Sequence, residues 1–379
     1  MTYRELGKTG KKVSSIGLGC EFLDRKPYEQ VKSTIDEALA SEMNLYDIFM
    51  PGEEVRGFLA KAIGNRRKDI MIQGHIGATD VNQQYDISRD MPTVKKYFES
   101  LLRTFGYIDF GMLFFIDSED DYKNVFETEF VTYAERLKKQ GDIQHIGFSS
   151  HNPATAIKAI KTGVPELVMF SINPAFDMLP PDYASLDSMK EKGLEADMTR
   201  GIDPTRAELY KICVERQVGI TVMKAFGATK LLSPDHTPFA KPLTTQQCLH
   251  YGLSRPAVAS VLPGCQTVEQ VKDVMKYFSV SDADKDYSQI IDTVSSDFKG
   301  SCVYCSHCQP CPVNIDIAEV HRILDEARLK KGGQDANLRK RYADLSPAQC
   351  TECGHCVKRC PFGVKVIDNV NEAARLLGN

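Results

Sequence analysis

Short apolar segments alternate with amphipathic segments along most of the chain. Apolar runs of this length, bounded by turn-forming residues, predict buried strands. The expected strands are Ser14–Gly19, Leu45–Phe49, Asp69–Gln73, Phe110–Phe115, Ile143–Phe148, Leu167–Ile172, Val218–Met223 and Val258–Leu262. The segments between them have helical periodicity. They include Pro27–Ala40, Pro92–Phe105, Phe126–Gln140, Pro204–Arg216 and Val268–Phe278.

This alternation is typical of an α/β fold of the (β/α)8 TIM barrel type, in which eight strands each precede a helix. An open doubly wound sheet is the alternative, and it is expected to carry a glycine-rich turn after its first strand. The segment Gly17-Leu18-Gly19-Cys20-Glu21-Phe22 lacks the third glycine of that turn. The pattern therefore favours the barrel, preceded by a small hairpin over residues 2–13.

Two of the loops that follow predicted strands are long, and barrel active sites are built from such loops. They span His75–Met91 and Asn173–Asp203. The sequence becomes polar over residues 282–300, which predicts a linker. We therefore expect a barrel over residues 1–281 and a smaller, mainly helical domain over residues 301–379, containing a helix at Ile315–Lys330.

Eight of the twelve cysteines fall in two runs within the C-terminal segment. The first run is Cys302, Cys305, Cys308 and Cys311, and the second is Cys350, Cys353, Cys356 and Cys360; a proline follows each. The second run has the spacing of two-cluster ferredoxins, and the first is one residue shorter. Zinc is the alternative, although structural zinc usually uses two separated cysteine pairs. The spacing predicts two [4Fe-4S] clusters.

Cross-wired ligation is expected for these clusters, because the fourth cysteine of such a run ligates the other cluster. One cluster would take Cys302, Cys305, Cys308 and Cys360, and the other Cys350, Cys353, Cys356 and Cys311. Ligation within each run is the alternative if the short first spacing prevents exchange. The remaining cysteines, Cys20, Cys213, Cys248 and Cys265, are expected to be buried apolar residues.

Composition narrows the classes of partner. The formal net charge is −4 with no basic block, so nothing indicates nucleic acid. No apolar run is long enough to span a bilayer, and the N-terminus is charged where a signal peptide would be apolar. Twelve cysteines without an export signal indicate metal binding in the cytoplasm rather than disulfides.

Three motifs make the chain similar to the aldo-keto reductase family, here fused to a ferredoxin-type domain. They are the start, Tyr3–Gly10 with Val13–Gly19; the strand-five motif, Gly141–Pro153; and the strand-eight turn, Val261–Gly264. The resemblance covers essentially the whole chain. It implies a nicotinamide-dependent carbonyl reductase with an Asp-Tyr-Lys-His tetrad, in which tyrosine is the acid.

Only one member of that tetrad is present. Asp47 matches the aspartate, but Met50 or Pro51 stands at the tyrosine, His75 at the lysine and Phe114 at the histidine. We therefore expect the family's proton relay to be lost. His75 is the candidate general acid/base, tuned by Asp47. Asp117 and His151, which follow neighbouring strands, are further candidate catalytic residues. The alternative for each is a polar loop residue that is hydrogen-bonded locally.

The resemblance also implies residues for a second cofactor. Ser149 and Ser150 would hold the nicotinamide amide, and Ser171 or Asn173 would lie near the ring. Lys224, Lys230 and Gly264 would follow the phosphates. No cation occurs between Pro263 and Val271, so a preference for NADP is unsupported. NAD(P)H is thus a candidate, and a flavin held by the last two barrel loops stays open.

The sequence leaves three functional hypotheses. The favoured one is an oxidoreductase that acts on a small, carbonyl-type substrate with electrons passed through its clusters from a ferredoxin-like donor. The second is a ligand-binding or sensory protein built on a degenerate reductase barrel. The third is a non-redox lyase or isomerase that uses His75 and a carboxylate.

Overall fold

The structure is a computed structural model of the chain. It describes residues 1–379 except 82–83, 179–201, 236, 238, 240, 289–299, 301, 303, 305–307, 330–334, 361–362 and 379. The side chains at 81, 84, 178 and 329 are not described either. The long loop Asn173–Asp203 therefore lies largely outside the described residues, apart from its two ends.

Strands and helices alternate as the sequence predicts. The strands are β1 Tyr3–Glu5, β2 Lys12–Ser14, β3 Leu18–Gly19, β4 Leu45–Ile48, β5 Met71–Ile76, β6 Ala78–Val81, β7 Gln84–Ile87, β8 Ile108–Leu113, β9 Ile143–Ser150, β10 Leu167–Ser171, β11 Gly219–Met223 and β12 Val258–Val261. The helices of the barrel region are α1 Tyr28–Ala40, α2 Glu53–Ile63, α3 Met91–Phe105, α4 Glu119–Phe126, α5 Glu129–Gln140, α6 Pro153–Lys161, α7 Pro174–Met178, α8 Pro204–Glu215, α9 Thr245–Leu253, α10 Val268–Met275 and α11 Asp282–Lys285. Those after the linker are α12 Ile317–Leu329, α13 Ala336–Asp344, α14 His355–Arg359 and α15 Val366–Leu377.

Eight of these strands form one parallel sheet in the order β3-β4-β5-β8-β9-β10-β11-β12. The sheet closes on itself because the Val261 N–H donates to Ser15 O (2.9 Å) and the Gly17 N–H donates to Val261 O (3.0 Å). Gly17 is required at this seam, since a Cβ there would lie 2.5 Å from Leu45 O. The predicted barrel is confirmed.

The barrel interior is apolar in the middle and polar at the mouth. Strand residues alternate between the interior and the helices. An apolar cluster fills the interior and includes Leu45, Phe110, Met112, Leu167 and Met169. Closer to the carboxyl ends of the strands, the buried side chains are polar: Asp47, Gln73, His75, Ser149 and Ser171. The predicted hairpin, β1–β2, covers the opposite end, where the Lys8 N–H donates to Gln217 O (2.8 Å).

Three sequence-based element predictions need correction. The loop after the third barrel strand forms the antiparallel hairpin β6–β7. The helix expected over Phe126–Gln140 is α5, which begins at Glu129 because the Thr128 side chain caps it at the Phe130 N–H (3.2 Å), and the helix before it, α4, was not predicted. The first predicted strand, Ser14–Gly19, is divided between β2 and β3.

The C-terminal segment is mainly helical, as predicted, and α12 matches the expected helix Ile315–Lys330. Helix α12 packs against α13 and α15. Within the predicted linker, α11 is a short helix and Tyr287 is fully buried. None of the helices in the described ranges is long and apolar enough to cross a membrane.

The C-terminal segment contacts the amino-terminal end of the barrel and its outer flank. Asn337 Nδ2 donates to Glu5 Oε2 on β1 (3.1 Å). A polar cleft is lined on one side by Arg4 and Val258 and on the other by Arg322 and Arg341. The barrel mouth lies at the opposite end of the strands, so these contacts do not place the cysteine segment as a lid over it.

Candidate active site and cluster site

Asp47 and His75 form a buried pair at the mouth of the barrel. Neighbouring parallel strands β4 and β5 pair Asp47 with Gln73, which brings the side chain of His75 next to the same carboxylate. Asp47 Oδ1 accepts from Gln73 Nε2 (3.0 Å) and lies 2.8 Å from His75 Nε2. Both residues are only 2% exposed. In the described part of the chain, His75 Nδ1 has no hydrogen-bond partner.

This arrangement suits proton transfer. When Nε2 carries the hydrogen donated to Asp47, Nδ1 presents a lone pair; when the ring is protonated, Nδ1 donates. A carboxylate behind an imidazole fixes its orientation and stabilises the imidazolium form. The pair occupies the positions where the family resemblance puts aspartate and lysine, so His75 replaces a fixed cation with a group that can exchange a proton.

Aromatic rings enclose His75 on its mouth side. The ring centres of Phe49 and Phe114 lie 5.9 and 5.2 Å from that of His75, both edge-on. Tyr85 of hairpin β6–β7 packs on Phe49 at 5.2 Å. Phe114 stands where the family has its carbonyl-orienting histidine, so this wall carries no donor there. The sequence did not predict that Tyr85 lies at the mouth, because no pattern in its loop indicated that position.

A second aspartate–histidine pair lies at the end of the neighbouring strands. Asp117 Oδ2 is 2.9 Å from His151 Nδ1, and Asp117 Oδ1 accepts from the His151 N–H (2.6 Å). Burial alone would raise the pKa of Asp117, but the charge and hydrogen bonds of His151, with Ser150, lower it overall. His151 Nε2 has no partner among the described residues. The ring of Phe115 packs on His151 at 5.3 Å.

Three of the residues expected to hold a nicotinamide are engaged within the chain, whereas the buried Ser171 Oγ has no partner among the described residues. Ser149 Oγ accepts from the Phe115 N–H (2.9 Å). Ser150 Oγ donates to Ile116 O (2.7 Å) and accepts from the Asn152 N–H (3.1 Å). The Asn173 amide spans two backbone groups, donating to Lys224 O (2.8 Å) and accepting from the Phe176 N–H (2.9 Å).

The expected phosphate-binding residues are also constrained. Phe22 covers the turn at Gly264, where a Cβ would lie 2.4 Å from the phenyl ring. Lys224 has a left-handed backbone (φ +61°) and its charge acts on Glu21, whose pKa is raised by burial and partly restored by Lys224. Lys230 begins a short 3-10 helix. Phe22 thus occupies the space beside Gly264 where a phosphate was expected, and no step of the chemistry is assigned to a dinucleotide.

Cysteines of both runs line one small cavity. They are Cys308 and Cys311 from the first run and Cys350, Cys353 and Cys356 from the second. Arg359 Nη1 donates to Pro310 O (2.9 Å), which ties the two runs together. Cys302 and Cys360 are half-buried, and Cys305 lies outside the described residues. Converging thiols in an otherwise apolar cavity fit an iron–sulfur cluster.

A site for a single metal ion differs from a cluster site, because one ion needs three or more ligands around one point. Among the described residues, no three histidine, cysteine, aspartate or glutamate side chains are close enough to hold one metal ion.

The four isolated cysteines are buried, as predicted. Burial raises the pKa of Cys265 to about 12 and that of Cys20 well above its usual range. Cys20 is therefore a thiol, and not a thiolate nucleophile, at the mouth.

Tyr304, inside the first cysteine run, is anchored on the barrel flank. Its ring centre lies 5.2 Å from the guanidinium of the buried Arg255, which also stacks on Tyr251 at 4.4 Å. Burial, with a contribution from Lys285, lowers the pKa of His250 to about 3, so this ring is neutral. His250 Nε2 donates to Tyr304 O (3.2 Å). These contacts hold the first run against the barrel.

A buried network continues from Tyr251 toward the mouth. The carboxylate of Asp177 accepts from the hydroxyls of Tyr251 and Tyr210 (2.7 Å each) and from Arg206 Nη1 (3.2 Å). Arg206 also donates to Ser171 O at the end of β10 (2.9 Å). Breaking a buried ion pair typically costs about 3–5 kcal/mol, so this network fixes the end of β10 and the start of α8.

Comparison with known proteins finds similarities for both parts of the chain. Residues 301–365 match the family model described as a 4Fe-4S dicluster domain. The chain is 27% identical over 301 residues to the uncharacterized oxidoreductase YqkF of Bacillus subtilis, a match that covers 72% of this chain and 90% of the relative.

Solved structures extend the comparison to the fold. The holo form of aldo-keto reductase AKR11C1 from Bacillus halodurans has a TM-score of 0.59 and 20% identity, covering 78% of this chain and 97% of the other. Its apo form has a TM-score of 0.52 with the same identity and coverage. These matches agree with the prediction of an oxidoreductase. The chain joins a barrel with the fold of these aldo-keto reductases to a C-terminal 4Fe-4S domain.

Proposed function

We propose that this protein is a reductase in which electrons from two [4Fe-4S] clusters reduce a small carbonyl compound in the barrel. The observation that carries the proposal is the cavity lined by cysteines of both runs. Bound clusters would supply one-electron transfer, which a hydride-transferring carbonyl reductase does not need. Cross-wired ligation, with Cys311 beside Cys350, Cys353 and Cys356, is part of the proposal.

His75 and Asp47 are assigned the proton chemistry. Reduction of a carbonyl to an alcohol consumes two electrons and two protons, and His75 Nδ1 is the group poised to give a proton at the mouth. Asp47, 2.8 Å from Nε2, keeps the imidazole oriented. Asp117 and His151 form the second pair through which a proton could be resupplied.

The substrate is proposed to carry an apolar or aromatic group beside its carbonyl. Phe49, Phe114 and Tyr85 form the wall around His75. Such a wall favours planar apolar groups. Because Ser149, Ser150 and Asn173 are engaged internally and Phe22 covers the turn at Gly264, we assign the reducing electrons to the clusters rather than to NAD(P)H. Lys224 and Lys230 are the residues proposed to contact a flavin phosphate, and we assign no other residue to flavin binding.

The test is turnover driven by a one-electron donor. The protein, purified without oxygen, is mixed with reduced viologen and a panel of aromatic and aliphatic aldehydes and ketones, and alcohol is measured. We expect one alcohol for every two viologen radicals consumed. No alcohol from any member of the panel, with clusters intact, would contradict the proposal and favour a ligand-binding protein.

A non-redox lyase or isomerase is the second candidate, and the Asp47–His75 pair favours it, because proton abstraction needs a positioned base and no electrons. The same panel distinguishes the two. A lyase or isomerase converts its substrate without consuming viologen.

A further inference from the structure

We infer that Gln73 is a positioning residue for the Asp47–His75 pair, and that it fixes which nitrogen of the His75 ring carries the hydrogen. The inference deepens the proposed function, on which its kinetic consequences rest. Gln73 precedes His75 by two positions on β5 and therefore lies one layer deeper in the barrel than the group that gives the proton. It acts on the reaction through the carboxylate of Asp47.

The parallel sheet places the side chain of Gln73 next to that of Asp47. Neighbouring strands β4 and β5 pair these two residues in register. Gln73 Nε2 donates to Asp47 Oδ1 (3.0 Å), and His75 Nε2 lies 2.8 Å from the same oxygen atom. Because one oxygen atom serves both partners, a carboxylate that moves after the loss of Gln73 also changes the orientation of the imidazole.

The amide of Gln73 lies against apolar neighbours in the barrel interior. Phe110 is its register partner on β8, and Gln73 Nε2 lies 3.7 Å from the sulfur of Met169. Gln73 is fully buried, and in the described part of the chain its Oε1 has no hydrogen-bond partner. A buried carbonyl oxygen without a partner destabilises the fold, whereas a methionine would fill a similar volume without that cost. The hydrogen bond to Asp47 is therefore what the amide contributes.

This hydrogen bond also determines the tautomer of His75. An ionised carboxylate can only accept, and the N–H of Gln73 holds Asp47 Oδ1 toward the ring. The contact between Oδ1 and His75 Nε2 then requires the hydrogen on Nε2. In the neutral ring, Nδ1 therefore presents a lone pair, and it becomes a donor after it takes up a proton. Without Gln73 the carboxylate is free to rotate, and the tautomer with the hydrogen on Nδ1 becomes accessible.

The test removes the donor without changing the volume of the side chain. Gln73→Met does this, and Gln73→Leu replaces it if the methionine variant folds poorly. Asp47→Ala and the Asp47→Ala/Gln73→Met double variant complete a double-mutant cycle. Thr221→Val is the matched control, because it removes another fully buried polar group of the barrel, a hydroxyl that has no partner among the described residues.

We expect Gln73→Met to lower kcat for viologen-driven alcohol formation by about 10–100-fold, the effect of a misplaced catalytic group. KM should stay within about twofold, because Gln73 does not contact the substrate. The Thr221→Val control should keep kcat within about twofold of the wild type. Because Gln73 acts through Asp47, Gln73→Met should cause no further loss in the Asp47→Ala background. An equal loss in both backgrounds, or a kcat of Gln73→Met equal to that of the control, would show that Gln73 has only a structural role.

Nitrogen NMR of the histidine rings supplies a readout that does not depend on turnover. Protein with isotope-labelled histidine is studied without oxygen at alkaline pH, and His75→Gln identifies the signals of His75. We expect the hydrogen on Nε2 in the wild type and in Thr221→Val, and a mixture of both tautomers in Gln73→Met. An unchanged tautomer in Gln73→Met would overturn the inference. If the wild type forms no alcohol, the proposed function fails, and the tautomer of His75 still decides the role of Gln73.

Discussion

Replacing His75 by alanine is expected to lower viologen-driven alcohol formation by about 10²–10⁴-fold, the usual contribution of a positioned general acid. The reason is that Nδ1 is the ring nitrogen left without a partner at the mouth, and Met50 or Pro51 stands where the family resemblance puts its tyrosine acid. Iron content and cluster reduction by dithionite should not change, because His75 lies at the end of the barrel remote from the cluster domain.

Two further variants keep this prediction testable. His75→Gln preserves volume and a polar tip if the alanine variant folds poorly, and it should be as inactive, because an amide cannot exchange a proton. His145→Ala is the matched control, since it removes another histidine paired with a carboxylate, that of Glu166, at the other end of β9. Alcohol formation by His75→Ala at the rate of the His145→Ala control would show that His75 has no catalytic role.

Removing Cys311 is expected to abolish the cluster of the second run rather than that of its own run. Two [4Fe-4S] clusters correspond to about eight iron atoms per chain. The Cys311→Ala variant should therefore retain about four, and its remaining cluster should have the spectrum found in Cys356→Ala. The physical reason is that the fourth cysteine of such a run ligates the other cluster, and Cys311 lines the cavity that contains Cys350, Cys353 and Cys356.

Cys360→Ala supplies the complementary comparison. Under cross-wired ligation it should match Cys302→Ala and differ from Cys356→Ala. Pairing of Cys311→Ala with Cys302→Ala, and of Cys360→Ala with Cys356→Ala, would instead establish ligation within each run. The Cys213→Ala variant, which removes a buried barrel cysteine, is the control for general loss of stability.

The barrel could be predicted because its strands are short and largely apolar and alternate with segments of helical periodicity. Its details could not be predicted where two patterns overlap. The expected helix Phe126–Gln140 begins three residues later, at Glu129, where the Thr128 side chain caps α5, and α4 was not predicted. Hairpin β6–β7 was missed because its residues Ala78–Val81 and Gln84–Ile87 are mixed polar and apolar, without the burial pattern of a core strand.

The candidate site shows the same division. The Asp47–His75 contact was predictable because neighbouring parallel strands bring their carboxyl ends together. The link from Tyr304 through Arg255 to Tyr251 and Asp177 was not, since its members lie on a loop and on separate helices whose facing surfaces depend on tertiary packing. No periodic signal in the sequence specifies such contacts.

The contact between the cysteine segment and the flank of the barrel affects electron transfer. The first run contacts the flank at Arg255 and His250, while the reacting mouth lies at the other end of the strands. The buried network that ends at Asp177 and Ser171 O spans this separation. We therefore expect electron transfer from the clusters to the mouth to limit the rate of turnover, rather than the delivery of electrons by the external donor.

An anaerobic reductive titration followed by electron paramagnetic resonance tests the central claim most directly. Dithionite, reduced ferredoxin and NAD(P)H are added in turn to the wild-type protein. The account predicts that dithionite and reduced ferredoxin each reduce the clusters, with up to two electrons taken up per chain, and that NAD(P)H reduces neither. Clusters that keep one oxidation state with all three reductants would contradict it.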